Sequence, residues 1–501
     1  LNNLTYIYGL GITNASIQNL TGLDNIDTLV SIKINDCQNF ISFLGLEGLL
    51  NSSSISVYNC DKLIHFNILF NSIKNLTTLK VSDCDLFVNF KGLDSLTSVI
   101  YLDIGGNEGL INFEGLESLI WADNFSVRYN KSLISFYGLK QFKKVSTSFS
   151  IDENDALMDF IGLDSINYIW SLNIKGNDNI VNLNGLQSLR YLNNLHVNYN
   201  KKIKNFIGLD SITKLYQSCY IGYNDNLQNF IGLHNIKSFP FLNINNNNKL
   251  SNLFGLSSVE YTYGLSIHNN DNLVSLVGIE SLKEAYSLVQ ITHNDKLKIL
   301  KGLQNLKKIN DLNISNNSCL ATIQHLNNSL KTDGDLYIQG NPNLNCCKVV
   351  DNILQNNPNI TVNISNNAPD CSSLTAIQNA PNNCVPNLNY CCYNQFVTQY
   401  DTICKGDTYI LPSGKVVRTT GTYQDTFPIG NCDSFITTYL TVVQGALTQK
   451  LFHYALEMIV PVTDKLLLLM VFIMTLFGIL TTVIVLYSIK FRLAMLSILI
   501  Q

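Results

Sequence analysis

The sequence has 501 residues, of which 46% are hydrophobic and 14% are charged, and its formal net charge is −4 at pH 7. This composition is typical of a globular chain and excludes a mainly disordered one. Binding to nucleic acid depends largely on basic side chains that neutralise phosphates, and a weakly acidic chain has no excess of them. No nucleic-acid partner is therefore predicted.

A phrase centred on glycine recurs along the chain. It reads NFIGLDSI at 205–212, DFIGLDSI at 159–166 and NFIGLHNI at 229–236. Aligned on the glycine, the copies repeat every 23 or 24 residues, and this period predicts a solenoid of stacked coils. Ile68 and His325 fill the glycine slot in two of fourteen copies. The other copies carry Gly22, Gly45, Gly92, Gly115, Gly138, Gly162, Gly185, Gly208, Gly232, Gly255, Gly278 and Gly302.

Each copy follows the pattern G-L-x-x-L-x-x-I-x-x-L-x-I-x-x-N-x-x-L-x-x-F-x. Its apolar residues recur every two or three positions, which fits neither a helix nor one long strand and predicts short extended segments joined by corners. The L-x-I piece is the predicted strand, because alternation turns both apolar residues inward. A single coil cannot bury its apolar face, so neighbouring coils must cover one another. We predict a mainly β, right-handed, leucine-rich-repeat-like solenoid of about 14 coils over residues 1–371.

An asparagine recurs three residues after the last strand residue of each coil. An amide has donors and an acceptor, so an asparagine buried at this corner can satisfy backbone groups of its own coil and of the next one. Three upstream coils have cysteine in this slot. We predict buried thiols there, and the alternative is a disulfide between neighbouring coils. The predicted ladder consists of Asn107, Asn130, Asn154, Asn177, Asn200, Asn224, Asn247, Asn270, Asn294, Asn317 and Asn341, with Cys37, Cys60 and Cys84 upstream.

The motif L-x-I-x-x-N-x-x-L-x-x-F-x-G-L-x-x-L resembles the receptor L domain. This leucine-rich-repeat relative occurs in the ectodomains of insulin-receptor-like and epidermal-growth-factor-receptor-like proteins, and the resemblance covers residues 1 to about 371. The likeness is closer to long arrays of such repeats in secreted bacterial surface proteins. It implies a fold and brings no catalytic residues, because one fold supports many functions.

Residues that flank the inner isoleucine of each strand are predicted to point outward onto one continuous strip. Its most varied charges and aromatic rings lie in the middle coils, and binding energy concentrates in arginine and aromatic side chains. We therefore expect a protein or glycan ligand to bind there. The candidate residues are Arg128, Asp152, Lys175, His196, Asn198, Tyr199, Tyr220 and Tyr223.

No catalytic or metal-binding motif is visible. The seven histidines are scattered, and no metal-ligand spacing occurs, so neither a metal nor a cofactor is predicted. The enzyme alternative is a polysaccharide-degrading β-helix, in which Asp152 would act as a base between Arg128 and Lys175. Stacked opposite charges are also a stabilising ladder, and we favour that interpretation over catalysis.

The repeats end in a cysteine-rich segment. Cys346, Cys347 and Cys371 predict a disulfide-pinned cap, which a solenoid needs over its last coil, and the sequence leaves their pairing with later cysteines open. Residues 372–395, which include Cys384, Cys391 and Cys392, are predicted to be a linker.

A small antiparallel β module is predicted at 396–445, because short Thr-, Val- and Tyr-rich runs alternate there with turns. The stretch CKGDTYILPSGKVVRTTGTYQDTFPIGNCDSFITTYLTVV resembles a module of bacterial surface proteins. A disulfide between Cys404 and Cys432 is expected to hold this module together, since so short a chain has too small a core.

A charge-free apolar run at 466–489 is long enough to cross a hydrocarbon core as a helix. Lys490 and Arg492 follow it, so the positive-inside rule places the repeats outside the cell. A misread reading frame is the alternative, because asparagine disappears after Asn431. The 13 cysteines, most of them after residue 345, indicate an oxidising compartment.

These observations together predict an extracellular, membrane-anchored recognition or adhesion protein. A structural spacer without a ligand is the second non-enzymatic alternative. Residues 1–12 match the middle of a repeat, and we therefore expect further sequence upstream.

Overall fold

A computed structural model describes residues 4–66, 70, 72–388, 395–429 and 432–443. Side chains are described in these ranges except at 395–400, 404, 427–429, 432–435 and 443. The chain forms two compact units, one with the repeats and one with the strands from Gln395 onward. Ile68, Cys391, Cys392 and the apolar run at 466–489 lie outside the described residues.

The repeat unit is a parallel β-solenoid of about 15 coils, which confirms the predicted fold class. Successive strands pair in parallel, so that Leu102 lies beside Leu79 on one side and Phe125 on the other. In three coils between residues 284 and 339, two short strands replace one long strand. The sheet consists of β1 (Tyr6–Thr13), β2 (Thr28–Asn35), β3 (Ser54–Tyr58), β4 (Asn75–Ser82), β5 (Ser98–Gly105), β6 (Trp121–Arg128), β7 (Lys144–Asp152), β8 (Tyr168–Lys175), β9 (Tyr191–Asn198), β10 (Leu215–Gly222), β11 (Ser238–Asn245), β12 (Tyr261–His268), β13 (Glu284–Ala285), β14 (Val289–Thr292), β15 (Lys308–Ile309), β16 (Leu312–Ser315), β17 (Lys331–Thr332), β18 (Leu336–Gln339) and β19 (Val362–Ser365).

The core is one continuous column of inward-facing apolar side chains. The two apolar residues of each L-x-I strand are buried and aligned with those of the neighbouring coils. Phenylalanines at the far corner stack ring on ring, with centroids 5.5 Å apart between Phe90 and Phe113 and 5.6 Å apart between Phe136 and Phe160. Every coil therefore buries its apolar face only against its two neighbours, as expected of a solenoid.

The corner glycines satisfy a backbone and a packing requirement at once. Gly232 has φ +104°, a conformation that side chains disfavour. A Cβ atom added at Gly232 would also clash with the carbonyl oxygen of Phe206 in the preceding coil. The close approach between coils is therefore a separate reason for glycine.

The last coil is covered by short helices and two disulfides. Cys346 bonds to Cys384, and Cys347 bonds to Cys371. The predicted linker at 372–395 includes Ile377, which is buried in the solenoid core, and Cys384, which bonds to Cys346, so its first part belongs to the cap. The helices are α1 (Val349–Asn356), the short 3-10 helix Pro369–Cys371 and α2 (Leu374–Asn379).

The C-terminal unit has a three-stranded sheet in the order β20-β24-β23 and a separate hairpin of β21 with β22. The pair of β20 and β24 is parallel, whereas an antiparallel module was predicted. Among the described residues, no helix is long and apolar enough to cross a membrane. The strands are β20 (Gln395–Cys404), β21 (Tyr409–Ile410), β22 (Val416–Val417), β23 (Gly421–Ile429) and β24 (Cys432–Val443).

The backbone register argues against the predicted disulfide between Cys404 and Cys432. Cys404 pairs with Val443 at the far end of β24, and Cys432 is the first residue of that 12-residue strand. At about 3.3 Å per residue, the two ends of β24 lie roughly 35 Å apart. Cysteines joined by a disulfide have Cα atoms about 4.4–6.8 Å apart. The side chains of both cysteines lie outside the described residues.

Candidate functional site

Six of the candidate residues lie on five consecutive strands, β6 to β10, in two parallel rows. In the first row, Arg128 pairs in register with Asp152, and Asp152 with Lys175. Lys175 pairs in turn with Asn198. The second row lies two residues earlier in each strand. The structure thus brings the predicted charged residues side by side on one face of the sheet.

Arg128 is held by a carboxylate that the sequence analysis did not single out. One guanidinium nitrogen donates to both carboxylate oxygens of Asp103, at 2.9 and 3.1 Å. The Arg128 side chain lies over Gly105, where a Cβ atom would come within 3.0 Å of it. Asp103 also binds Lys80 at 2.8 Å. Asp103 occupies the second row one coil earlier, so an inspection of charges across neighbouring coils would have identified it.

Asp152 lies between two cations and is partly buried. Burial raises the pKa of its carboxyl group, while the charges of Lys175 and Arg128 act in the opposite direction. Desolvation disfavours the charged form of the carboxyl group, and it outweighs the effect of the two cations. The carboxyl group is therefore easier to protonate than an exposed aspartate.

The second row brings His196 and Tyr220 together, with ring centroids 6.4 Å apart in an edge-to-face arrangement. The Nε2 atom of His196 lies 2.8 Å from the Ser218 hydroxyl oxygen. The Tyr220 hydroxyl donates to Oδ1 of Asn245 at 3.3 Å. Burial lowers the pKa of His196, so its ring favours the neutral form. Oδ1 of Asn198 is buried and has no hydrogen-bond partner among the described residues.

Tyr199 and Tyr223 stand at the corners where β9 and β10 end. Both have positive φ angles, 61° and 57°. Their rings stack with centroids 4.5 Å apart, and the Lys175 ammonium lies 6.0 Å from the Tyr199 ring centroid. Both side chains are exposed, so they extend the candidate site beyond the strand ends.

The corner asparagines form a buried chain of hydrogen bonds from coil to coil. Nδ2 of Asn130 donates to the carbonyl oxygens of Arg128 in its own coil and Ile104 in the preceding coil, at 3.0 and 3.1 Å. The backbone N–H of Asn107 donates to Oδ1 of Asn130 at 3.2 Å. The chain continues past Asn341 to Asn367, which lies 26 residues further on, outside the regular spacing.

Cysteines take the place of asparagine in three coils. The Cys60 thiol donates to the carbonyl oxygens of Tyr58 and Ile34, at 3.4 and 3.9 Å. The backbone N–H of Cys60 donates to Sγ of Cys84 at 3.4 Å. Cys37, Cys60 and Cys84 are free, buried thiols, so the disulfide alternative is not formed.

A second surface, missed in the sequence, lies where the same strands begin. The rings of Tyr168 and Tyr191 stack with centroids 4.4 Å apart, and those of Tyr191 and Tyr216 lie 4.8 Å apart. The Lys144 ammonium lies 5.1 Å from the Tyr168 ring centroid, and Lys214 lies 4.9 Å from that of Tyr216. These residues precede the L-x-I motif, and only alignment of the coils at the strand start reveals them.

The described part of the chain holds no group of three or more His, Cys, Asp or Glu residues placed to bind a metal ion. Several aspartates that follow ladder asparagines make local contacts. Asp178, for example, accepts a hydrogen bond from Lys201 at 2.6 Å. The surface is suited to binding through charge, hydrogen bonds and aromatic rings.

No family model matches the chain, and no curated protein matches it. Among solved structures, the chain is similar to a leucine-rich repeat protein from Bacteroides ovatus ATCC 8483, with 18% sequence identity and a TM-score of 0.26. That similarity covers 62% of this chain and 82% of the other. The fold assignment rests on the coils themselves. Parallel strands that pair from coil to coil, a glycine at most corners and a column of buried asparagines and cysteines are features of a leucine-rich-repeat-like β-solenoid.

Proposed function

We propose that the solenoid is an extracellular recognition scaffold, built from receptor L-domain-like repeats, that binds a protein or glycan ligand on the outward face of β6 to β10. The observation that carries this proposal is the register that sets Arg128, Asp152 and Lys175 side by side. The paired tyrosines Tyr199 and Tyr223 add aromatic surface at the edge of the same site. Arginine and aromatic side chains are the residues in which binding energy concentrates.

The scaffold is suited to this task because the buried interior of the solenoid keeps the outward face of its strands rigid. The asparagine ladder and the phenylalanine column fix each strand against its neighbours. A rigid surface loses little conformational entropy when a long ligand binds, which favours affinity. The cap disulfides, Cys346–Cys384 and Cys347–Cys371, support an oxidising, extracellular setting. We propose the apolar run at 466–489 as its membrane anchor.

The test is a glycan and surface-protein array probed with the wild-type chain and with an Arg128→Ala/Lys175→Ala/Tyr220→Ala variant. A Tyr8→Ala/Lys202→Ala/Lys249→Ala variant is the control, because it removes the same kinds of side chain from exposed positions elsewhere. We expect the first variant to lose at least tenfold in affinity and the control to retain it. Equal binding by both variants would show that the site lies elsewhere, and absence of any ligand would favour the spacer alternative.

One observation favours an enzymatic alternative. Asp152 has a raised pKa and lies between Arg128 and Lys175, as a general base beside cations would. Against this, the guanidinium of Arg128 is already engaged by Asp103. Incubation with a panel of uronic-acid polymers separates the two functions, since an unsaturated product lost in Asp152→Asn would establish catalysis. We expect no product from either chain.

A further inference from the structure

We propose that a second surface of the solenoid binds a linear acidic polysaccharide. This inference rests on the proposed recognition function and adds a ligand class and a location. The surface, called here the basic aromatic rim, lies at the start of β6 to β11. It consists of Lys143, Lys144, Arg190, Lys214 and Lys237 together with Trp121, Tyr168, Trp170, Tyr191 and Tyr216.

The rim carries a run of positive charge. Glu260, which adjoins Lys237 on the next coil, interacts with the Lys237 charge but is bonded to Lys283. All five basic side chains of the rim are exposed, and none of them forms an ion pair within the part of the chain that the structure describes. Several lysines elsewhere on the repeats are paired, as Lys201 is with Asp178 and Lys283 with Glu260. In a chain with a net charge of −4, an unpaired cationic stripe marks a place for an anionic partner.

Two acidic residues that precede rim residues in sequence make contacts at the corner turns. Asp164 accepts a hydrogen bond from the backbone N–H of Gly162 at 3.2 Å. Asp210 does the same for Gly208 at 2.9 Å. These two carboxylates therefore bind backbone N–H groups at the corner turns rather than the basic side chains of the rim.

The aromatic residues of the rim favour a hydroxylated ligand over nucleobases. The three stacked tyrosines cover one another's faces, and Lys144 and Lys214 lie over the first and last rings. Single-stranded nucleic acid binds by stacking its bases on free ring faces. A stacked column instead leaves ring edges and phenol hydroxyl groups for the ligand. The phenol hydroxyl groups donate and accept hydrogen bonds, as the hydroxyl groups of a sugar also do.

The spacing of the cations fits a polysaccharide better than an acidic peptide. Parallel strands lie about 4.8 Å apart, so one coil separates Arg190 from Lys214 and another separates Lys214 from Lys237. One pyranose unit lengthens a polysaccharide by about the distance between neighbouring coils. Successive charged sugars bound along the rim can therefore each lie opposite one coil and its cation. An extended peptide advances only about 3.3 Å per residue, so its successive side chains do not match the spacing of the cations.

The experiment compares two charge-matched variants of the full chain. Arg190→Glu/Lys237→Glu changes the rim on the coils of β9 and β11, and Lys202→Glu/Lys249→Glu makes the same change on the far corner of those coils. All four side chains are exposed, so near-native melting midpoints are expected. The probes are heparin for sulfate, polygalacturonate for carboxylate, neutral dextran, and single-stranded DNA, each at physiological salt. Heparin and polygalacturonate separate sulfate recognition from carboxylate recognition.

We expect the wild-type chain to bind at least one acidic polysaccharide and not dextran. The rim variant should bind at least tenfold more weakly, and the far-corner variant should stay within about twofold of wild type. The proposal is overturned by equal losses in both variants, by binding of dextran, by tighter binding of DNA, or by no binding at all. If the Arg128→Ala/Lys175→Ala/Tyr220→Ala variant loses an array ligand while no acidic polysaccharide binds, the proposed function stands and the rim proposal fails.

Discussion

Oδ1 of Asn224 accepts two hydrogen bonds from Asn200, one from its backbone N–H at 3.1 Å and one from its side-chain amide at 3.2 Å. Asn200 in turn accepts the backbone N–H of Asn177 at 3.0 Å. Each ladder asparagine therefore joins three consecutive coils. Removing one leaves buried backbone groups of two coils without partners.

Asn200→Ala should lower the free energy of unfolding by on the order of 1–3 kcal/mol, the cost of leaving a buried polar group unsatisfied. Chemical denaturation of the repeat-containing chain measures this. Asn248→Ala is the control, because Asn248 is exposed and its side chain binds only Asp225, at 3.1 Å. If both variants unfold at the same denaturant concentration, the buried ladder does not stabilise the coils.

Gly232→Ala should destabilise the repeat unit by more than backbone strain alone. The change forces alanine into a positive φ, at a cost on the order of 1–3 kcal/mol. The added methyl group also meets the Phe206 carbonyl group of the preceding coil. Chemical denaturation measures the total loss of unfolding free energy. A loss within about 1–3 kcal/mol would mean that backbone conformation alone requires glycine.

His196 should contribute to acid sensitivity. Burial lowers its pKa below the unfolded value of about 6.5. Above that pH, the ring is neutral in both states and its contribution to stability is fully present. As the pH falls below about 6.5, the unfolded chain takes up the proton first, and the folded state loses stability until the lowered pKa is passed.

His196→Gln should therefore reduce the loss of unfolding free energy between about pH 7.5 and pH 5. Denaturation curves at a series of pH values for wild type and variant measure the effect. An unchanged pH dependence would contradict the buried, neutral state of this ring.

The cysteines should divide into two chemical classes. Alkylation of the unfolded but unreduced chain is expected to modify Cys37, Cys60, Cys84 and Cys219, which are free. In the folded chain all four should resist, because they are buried. Peptide mapping should recover Cys346 linked to Cys384 and Cys347 linked to Cys371. A linked pair of Cys60 and Cys84 would contradict the thiol assignment.

The sequence predicted the solenoid well because one local pattern recurs in every coil. The apolar pattern of each copy independently predicts which residues turn inward. The strand register then follows from aligning the corner glycines, such as Gly208 with Gly232. The placement of Arg128, Asp152 and Lys175 in one row follows from the same alignment.

Features without a repeat were not predictable in this way. The pairing of Cys346 with Cys384 depends on where a non-repeating chain folds back. Helix α2 is only six residues long and contributes a single core side chain, Ile377, which leaves no period to detect. The rim was missed for another reason. Its aromatic residues stand before the strand motif, and Trp170 and Tyr216 look like isolated surface residues until the coils are stacked.

The thiol corners mark the coils that should open most readily. A cysteine has one proton for two carbonyl oxygens, whereas an asparagine amide has two protons for the same pair. The coils of β2 to β4 are therefore held less firmly at this corner than those of β5 onward. Because each coil is supported only by its neighbours, a weaker corner also makes the adjoining coils easier to open. We therefore expect backbone amides near Cys37 and Cys60 to exchange with deuterium sooner than those near Asn200.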